Sequence, residues 1–134
     1  MPVECTCISV RDTKALIIPA SVVNIAELAF AFCDSIETIT FAEGSRLTTV
    51  GSGAFVGTGM GSLDPPSGLQ AIGAGAFAFC AALKTVRFAE ELKTIGRRAF
   101  SQCSNLKTIA FAEGFNAAIG ELAFEFSGLA SVAF

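Results

Sequence analysis

The feature that most constrains this fold is a short internal repeat marked by the dipeptide Ala-Phe. The dipeptide recurs five times, with spacings of 25, 22, 23 and 24 residues between successive phenylalanines. These phenylalanines are Phe30, Phe55, Phe77, Phe100 and Phe124. A unit of this length cannot bury its apolar face alone, so neighbouring units must stack and bury a continuous core. The repeat therefore predicts a solenoid of about five turns.

Other positions align with the dipeptide in every unit. A β-branched residue lies five residues before each Phe, and Gly follows it in four of the five units. A small residue lies three residues after each Phe: Cys33, Thr58, Cys80, Cys103 and Ser127. Stacking these columns predicts Phe against Phe and Cys against Cys along the solenoid axis.

Alternation of apolar residues predicts a main strand in each unit. In the unit that begins at Leu83, Val86 and Phe88 are expected to point inward, and Thr85 and Arg87 outward. Residues 92–95 read as a second, shorter extended segment. All 13 aromatic residues are Phe, and their placement indicates core rather than surface.

The segment between the two strands is expected to be helical. Gly96 is expected to make the turn, through a positive φ or a close backbone approach. The stretch 97–103 has room for about two helical turns, with Ala99, Phe100 and Cys103 on the inner side.

These motifs resemble the BspA-like, or Treponema pallidum-type, leucine-rich repeats. The best matches are residues 92–111 and 16–33, and the second contains Ile18-Pro19-Ala20-Ser21-Val22. The resemblance implies a leucine-rich-repeat-type right-handed β/α superhelix, strand-rich with short helices. It also implies an extracellular or cell-surface protein associated with adhesion. Phe-Ala-Glu replaces Ile-Pro-x in three repeats, and the unit around residues 57–68 is irregular.

The alignment divides the chain into an N-terminal cap or flank, residues 1–12, and a solenoid, residues 13–134. Phe134 aligns with Phe111 at a strand end, and no polar cap follows it, so the solenoid is predicted to lack its C-terminal cap. A second copy could cover such an end by two-fold pairing. Phe134 and Val132 are therefore the candidate residues for self-association as a homodimer.

Composition excludes several classes of function. The chain has no His, which removes Ser-His and Cys-His nucleophile systems and the usual nitrogen ligand of zinc. A net charge of −3 argues against nucleic acid as a partner. Cys5-Thr6-Cys7 lacks two further metal ligands. We therefore expect no catalytic residues, no metal and no cofactor.

The apolar stretch 15–33 is not expected to insert into a membrane. It contains Pro19, Asn24 and Glu27, and it falls in the repeat register. The residues before it carry Glu4 and Asp12, so they do not form the basic region of a signal peptide.

The cysteine column favours a ladder of small buried thiols. A disulfide between Cys80 and Cys103 is the alternative, if the Cα spacing suits it. With five cysteines, at least one thiol is unpaired within a monomer.

Candidate ligand-binding residues lie on the outward face of the main strands and on a basic edge beside it. Six of the nine basic residues fall between Lys84 and Lys107. The five candidates are Lys84, Thr85, Arg87, Lys107 and Thr108. Arg and Lys in this arrangement suit a phosphate, sulfate or carboxylate group, although such charge runs are also typical of an ordinary solvated face.

The sequence thus predicts a non-catalytic interaction or adhesion module. It would bind a protein or glycan through the strand face or the basic edge. The alternative is a structural repeat unit that self-associates through its open end or its flat sheet.

Overall fold

A computed structural model describes residues 2–3, 14–129 and 131–133, the first and last of these ranges by backbone alone. Among these residues, twelve strands alternate between short and main strands. The short strands are β1 (Pro2–Val3), β3 (Asn24–Ile25), β5 (Thr49–Val50), β7 (Ala71–Ile72), β9 (Thr94–Ile95) and β11 (Ala118–Ile119). The main strands are β2 (Ala15–Ile18), β4 (Thr38–Phe41), β6 (Ser62–Leu63), β8 (Thr85–Phe88), β10 (Thr108–Phe111) and β12 (Ser131–Ala133).

Every strand pairs in parallel with the equivalent strand of a neighbouring unit, so the predicted solenoid is confirmed. The short strands form one six-stranded sheet in the order β1-β3-β5-β7-β9-β11. That sheet includes Pro2–Val3, which lies in the segment predicted as a cap or flank and pairs with Asn24–Ile25. Stacking of equivalent positions keeps the register constant along the axis.

The main strands form two sheets, β2-β4 and β6-β8-β10-β12. The gap falls at the irregular third unit, where β6 has only two residues. Pro66 occupies the position of Ala42 and Ala112, whose N–H groups donate to the preceding main strand, and Pro has no N–H to donate. Beside this gap, a backbone bond from the N–H of Gly61 to the carbonyl of Glu37 at 3.2 Å still connects the two turns.

The prediction of a short helix before each main strand is wrong. In the described part of the chain they are pairs of turns closed by i→i−3 bonds, such as Ala99 N–H to the Gly96 carbonyl at 3.2 Å. Arg98 and Gln102 have φ of 56° and 62°, which interrupts a right-handed helix. The N–H of Phe100 donates instead to the carbonyl of Ala123 in the next unit, at 2.7 Å. No helix in the described residues is long and apolar enough to cross a membrane.

The core is a set of stacked columns between the two strand ladders. The Ala-Phe rings stack along the axis with centroid separations of 5.2–5.5 Å and interplanar angles of 5–11°. Val86 and Phe88 are buried while Thr85 and Arg87 are exposed, as predicted. Ala99, Phe100 and Cys103 are fully buried, so the inner side of the turn segment was also predicted correctly.

The Gly column serves close backbone approach. A Cβ added at Gly96 would lie 2.5 Å from the backbone nitrogen of Ala74 in the preceding unit, and Gly73 and Gly120 show the same approach. Of the two roles allowed for Gly96, a positive φ and a close approach, the structure therefore selects the second.

Candidate binding faces

The strand face, defined as the outward surface of the main strands, brings the predicted residues together. Thr85 pairs with Thr108 and Arg87 with Ala110 across β8 and β10. The side chains of Thr85, Arg87 and Thr108 are exposed. Because parallel strands keep equivalent residues side by side, the three side chains form one continuous surface.

The basic edge, Lys84 and Lys107, lies immediately before β8 and β10. The backbone N–H of Lys107 donates to the carbonyl of Lys84 at 3.0 Å, and both side chains are exposed. A Cβ added at Gly128 would lie 3.1 Å from Nζ of Lys107, so this ammonium group extends over the following turn. The two lysines are therefore neighbours on the same border of the strand face.

A groove of about 370 Å³ crosses the strand face. Its lining includes Asp64, Thr85, Arg87 and Thr108. A ligand in this groove would meet a carboxylate and a guanidinium on adjacent strands. Lys84 lines a separate groove of about 530 Å³ together with Glu37 and Asn105. Each groove therefore combines a basic with an acidic side chain: Arg87 with Asp64 in the central groove, and Lys84 with Glu37 at the edge.

The structure does not describe the side chains of the two residues proposed for self-association. Phe134 lies outside the described residues, and only the backbone of Val132 is described, where it pairs with Ile109. Self-association through that end stays a prediction.

The sequence reasoning missed a second exposed surface. Contrary to the expectation that every Phe belongs to the core, Phe32, Phe79 and Phe126 expose 69%, 58% and 67% of their surface. Leu28 and Leu122 are exposed as well, by 57% and 37%. We call these five residues the turn face, because all of them lie in the turn segments between short and main strands.

Backbone conformation explains the exposure. Each of the five turn segments contains two residues with φ between 56° and 71°. The first left-handed position holds Leu28, Gly53, Gly75, Arg98 and Leu122. The second left-handed position holds Phe32, Gly57, Phe79, Gln102 and Phe126. A left-handed residue directs its side chain away from the face that its right-handed neighbours bury. Leu and Phe side chains at these positions are therefore exposed to solvent although they are apolar.

A signal for this surface was present in the alignment. The second left-handed position lies two residues after the Phe of each Ala-Phe dipeptide, and it includes Gly57 and Gln102. A core column does not tolerate Gln without a partner. A column that mixes Gly, Gln and Phe is therefore an outward column.

A groove of about 480 Å³ runs along the turn face. Phe32, Gly75, Phe79 and Phe126 are among its lining residues. A Cβ added at Gly57 would lie 2.9 Å from Cδ1 of Phe32, so this ring leans over the glycine of the next turn. A Cβ added at Gly75 would meet nothing within 4 Å, so the groove has free space at this residue.

The buried thiols have a structural role. Cys80 and Cys103 are free, whereas Cys33 is disulfide-bonded, so the predicted ladder of free thiols does not include Cys33. The sulfurs of Cys80 and Cys103 donate to the carbonyls of Phe55 and Phe77 at 3.2 and 3.1 Å. The hydrogen bond with Cys80, together with burial, raises the pKa of the Cys103 thiol far above its ordinary value. A thiol held protonated in this way is a poor nucleophile.

Within the described residues, no three Cys, Asp or Glu side chains form a group that could hold a metal ion. The only ion pair among the described residues joins Nε of Arg98 to Oε2 of Glu125 at 3.6 Å. Both residues line the groove that runs along the turn face.

Comparison with known proteins identifies similar repeat proteins. A family model described as the BspA type leucine-rich repeat region matches residues 6–134 in six copies. The crystal structure of PcpA, a pneumococcal vaccine antigen, is similar with a TM-score of 0.81 and 28% identity. That match covers 89% of this chain and 30% of the PcpA chain.

Two further crystal structures share the fold. A leucine-rich repeat protein from Bacteroides capillosus has a TM-score of 0.61 and 26% identity, over 90% of this chain and 76% of that one. A leucine-rich cell surface protein from Faecalibacterium prausnitzii has a TM-score of 0.58 and 19% identity, over 98% and 45%. The chain thus spans less than half of PcpA and of the Faecalibacterium protein. Among curated proteins, none matches the sequence.

Proposed function

Because the chain belongs to the BspA-type leucine-rich repeat family, we propose that it is a non-catalytic interaction module that binds a protein or glycan through its strand face. Proteins of this family generally act by binding rather than by catalysis. Two similar structures are described as a vaccine antigen and a cell surface protein, which supports a place at the cell surface and a role in adhesion.

The observation that carries the proposal is the juxtaposition of the five predicted residues. Lys84, Thr85, Arg87, Lys107 and Thr108 lie on two adjacent turns, and all five side chains are exposed. Two ammonium groups and a guanidinium on a flat surface suit an anionic ligand, and the hydroxyl groups of the threonines add hydrogen-bond donors and acceptors. Sulfate or carboxylate groups on the partner match this chemistry.

Charge reversal tests the proposal. Wild-type protein should bind immobilised heparin or poly-glutamate, which present sulfate and carboxylate groups, and binding should weaken with salt because exposed charges are screened. The variant K84E/R87E/K107E should lose at least about tenfold in affinity, or about 1.4 kcal/mol. Biolayer interferometry at several salt concentrations measures both effects.

A matched control distinguishes an effect of the strand face and its edge on affinity from an effect of net charge alone. The variant R46E/K93E/R97E makes the same change in net charge at basic residues outside the strand face and its edge. It should retain most of the wild-type affinity. Equal losses in the two variants, or a wild-type protein that binds neither polymer at low salt, would rule out the basic edge as the binding site.

A further inference from the structure

We propose that the strand face and its edge bind an extended segment of a partner protein in which basic side chains are followed by acidic side chains. The inference rests on the proposed function and names the class of partner for that surface. The cationic groups of the segment lie toward the first turn of the solenoid and its anionic groups toward the last turn.

Opposite charges lie side by side in the central groove. The register of β6 and β8 pairs Leu63 with Val86, so Asp64 and Arg87, the next residue of each turn, are neighbours on adjacent turns. Both side chains are exposed, and both line the groove of about 370 Å³. Among the described residues, neither forms an ion pair. The carboxylate and the guanidinium are therefore available to a ligand.

The groove at the basic edge has the same polarity. The N–H of Gly61 donates to the carbonyl of Glu37, and the N–H of Lys84 donates to the carbonyl of Gly61, so Glu37 and Lys84 are two turns apart with Gly61 between them. The three residues line the groove of about 530 Å³. A Cβ at Gly61 would meet nothing within 4 Å. The space between the carboxylate and the ammonium group is therefore open to a ligand.

The two grooves separate charge in the same direction along the solenoid axis. In each groove the carboxylate lies toward the first turn and the cation toward the last turn. Lys107 extends the basic side by one further turn, because its N–H donates to the carbonyl of Lys84. Lys14 lies one turn before Glu37 and outside both grooves. One partner segment with a single orientation can therefore satisfy both grooves.

The spacing of the charges matches an extended polypeptide. Strands of adjacent turns are about 4.8 Å apart, so the backbone positions of the two charges differ by about 4.8 Å in the central groove and about 9.6 Å at the edge. Every second side chain of an extended peptide points to the same side, at intervals of about 6.8 Å. A basic and an acidic residue two positions apart therefore reach both charges of either groove, and their flexible side chains accommodate the difference.

An anionic glycan fits only the basic half of this surface. Its sulfate or carboxylate groups carry the same sign, so Glu37 and Asp64 repel the groups that lie beside them. A polypeptide presents both signs on one chain. Charge complementarity therefore favours a protein segment over a glycan as the ligand of the strand face.

Fluorescence anisotropy at low salt, with two dye-labelled peptides of equal composition, tests the proposal. The first peptide, Lys-Gly-Lys-Gly-Glu-Gly-Glu, separates its charges along the chain, and the second peptide, Glu-Gly-Lys-Gly-Lys-Gly-Glu, does not. The wild-type protein should bind the first peptide at least about threefold more tightly, because several exposed ion pairs form together only with that peptide. Added salt should reduce the difference, since exposed charges are screened.

A variant of the two acidic residues tests their role directly. E37Q/D64N should bind the first peptide at least about threefold more weakly and poly-glutamate at least about threefold more tightly, because it loses an attraction in the first case and a repulsion in the second. The control E27Q/E121Q makes the same change in net charge at exposed residues of the turn segments. It should change either affinity by less than about twofold. Circular dichroism verifies that both variants fold.

Failure of this inference is distinguishable from failure of the proposed function. Binding of poly-glutamate by a wild type that does not discriminate between the two peptides would overturn the inference and leave an anionic glycan as the ligand of the basic edge. So would an E37Q/D64N variant that keeps its affinity for the first peptide, or one that the control matches. A wild type that binds neither poly-glutamate nor either peptide would overturn both proposals.

Discussion

At the scale of single residues, the closest contacts between turns are made by glycines. At Gly96 the backbone of one unit passes so near the preceding unit that a methyl group would overlap the nitrogen of Ala74. The glycines that precede four of the five Ala-Phe segments therefore set how tightly the turns stack. A side chain there would separate turns that share backbone hydrogen bonds.

Gly96→Ala should lower the free energy of unfolding by about 1–3 kcal/mol, because the added methyl group overpacks two backbones. Gly61→Ala is the control, since a Cβ at Gly61 would meet nothing within 4 Å. Urea denaturation of both variants measures the difference. Equal stability of the two variants would show that the turns are farther apart than this structure places them.

The titration of Cys103 makes the free energy of unfolding depend on pH. Its pKa is raised in the folded state by the hydrogen bond with Cys80 and by burial, so the folded protein holds this proton more tightly than the unfolded chain. The stabilisation from Cys103 is therefore complete below the unfolded thiol pKa, about 8.5, and declines as the pH rises above it. The same hydrogen bond lowers the pKa of Cys80, whose contribution has the opposite sign and offsets part of this decline. The chain has no His or Tyr, which leaves thiols as the main side chains titrating just above this pH.

Urea denaturation of the reduced protein between pH 7 and 9.5 should show this decline, and Cys103→Ser should make it shallower. Ser is suited to the position because Ser127 and Thr58 occupy the same column. An identical pH dependence in the two proteins would mean that Cys103 does not titrate differently on unfolding.

At the scale of the element, the turn segment directs neighbouring Phe residues to opposite environments. Phe77 stacks between Phe55 and Phe100 and is 1% exposed, whereas Phe79 is 58% exposed. The pattern of Ala99, Phe100 and Cys103 correctly predicted the buried side. It also fitted a helix, because inward spacings of three and four residues are helical as well as turn-like. Only the left-handed residues distinguish the two: Gly53, Gly57 and Gly75 are typical of that conformation, whereas Leu, Phe, Arg and Gln at the equivalent positions give no sign of it.

Phe77→Ala should therefore cost about 3–5 kcal/mol, as expected for a buried ring in a stacked column. Phe79→Gln, two residues away, should change monomer stability by no more than about 0.5 kcal/mol. Thermal or urea denaturation of the two variants measures both changes. Comparable losses would mean that Phe79 packs into the core.

At the scale of the whole molecule, stacking places equivalent residues of successive turns side by side, so that one position of the repeat forms a continuous surface. The period of the Ala-Phe dipeptide was enough to predict the solenoid, its stacked core and the neighbourhood of Lys84 with Lys107. The period alone did not reveal the break in the third unit, which depends on the missing N–H of Pro66. It also did not reveal the turn face, for which the signal was Gly57 and Gln102 in the column of Phe32 rather than the period. Exposed rings cannot be distinguished from core rings by composition when every aromatic residue is Phe.

The central claim is that the strand face and its basic edge form the binding surface of this chain. Biolayer interferometry with a heparin oligosaccharide tests it most directly. The account predicts that K84E/R87E/K107E loses the oligosaccharide while R46E/K93E/R97E retains it, with the fold of both variants intact by circular dichroism. Equal losses in the two variants would contradict it.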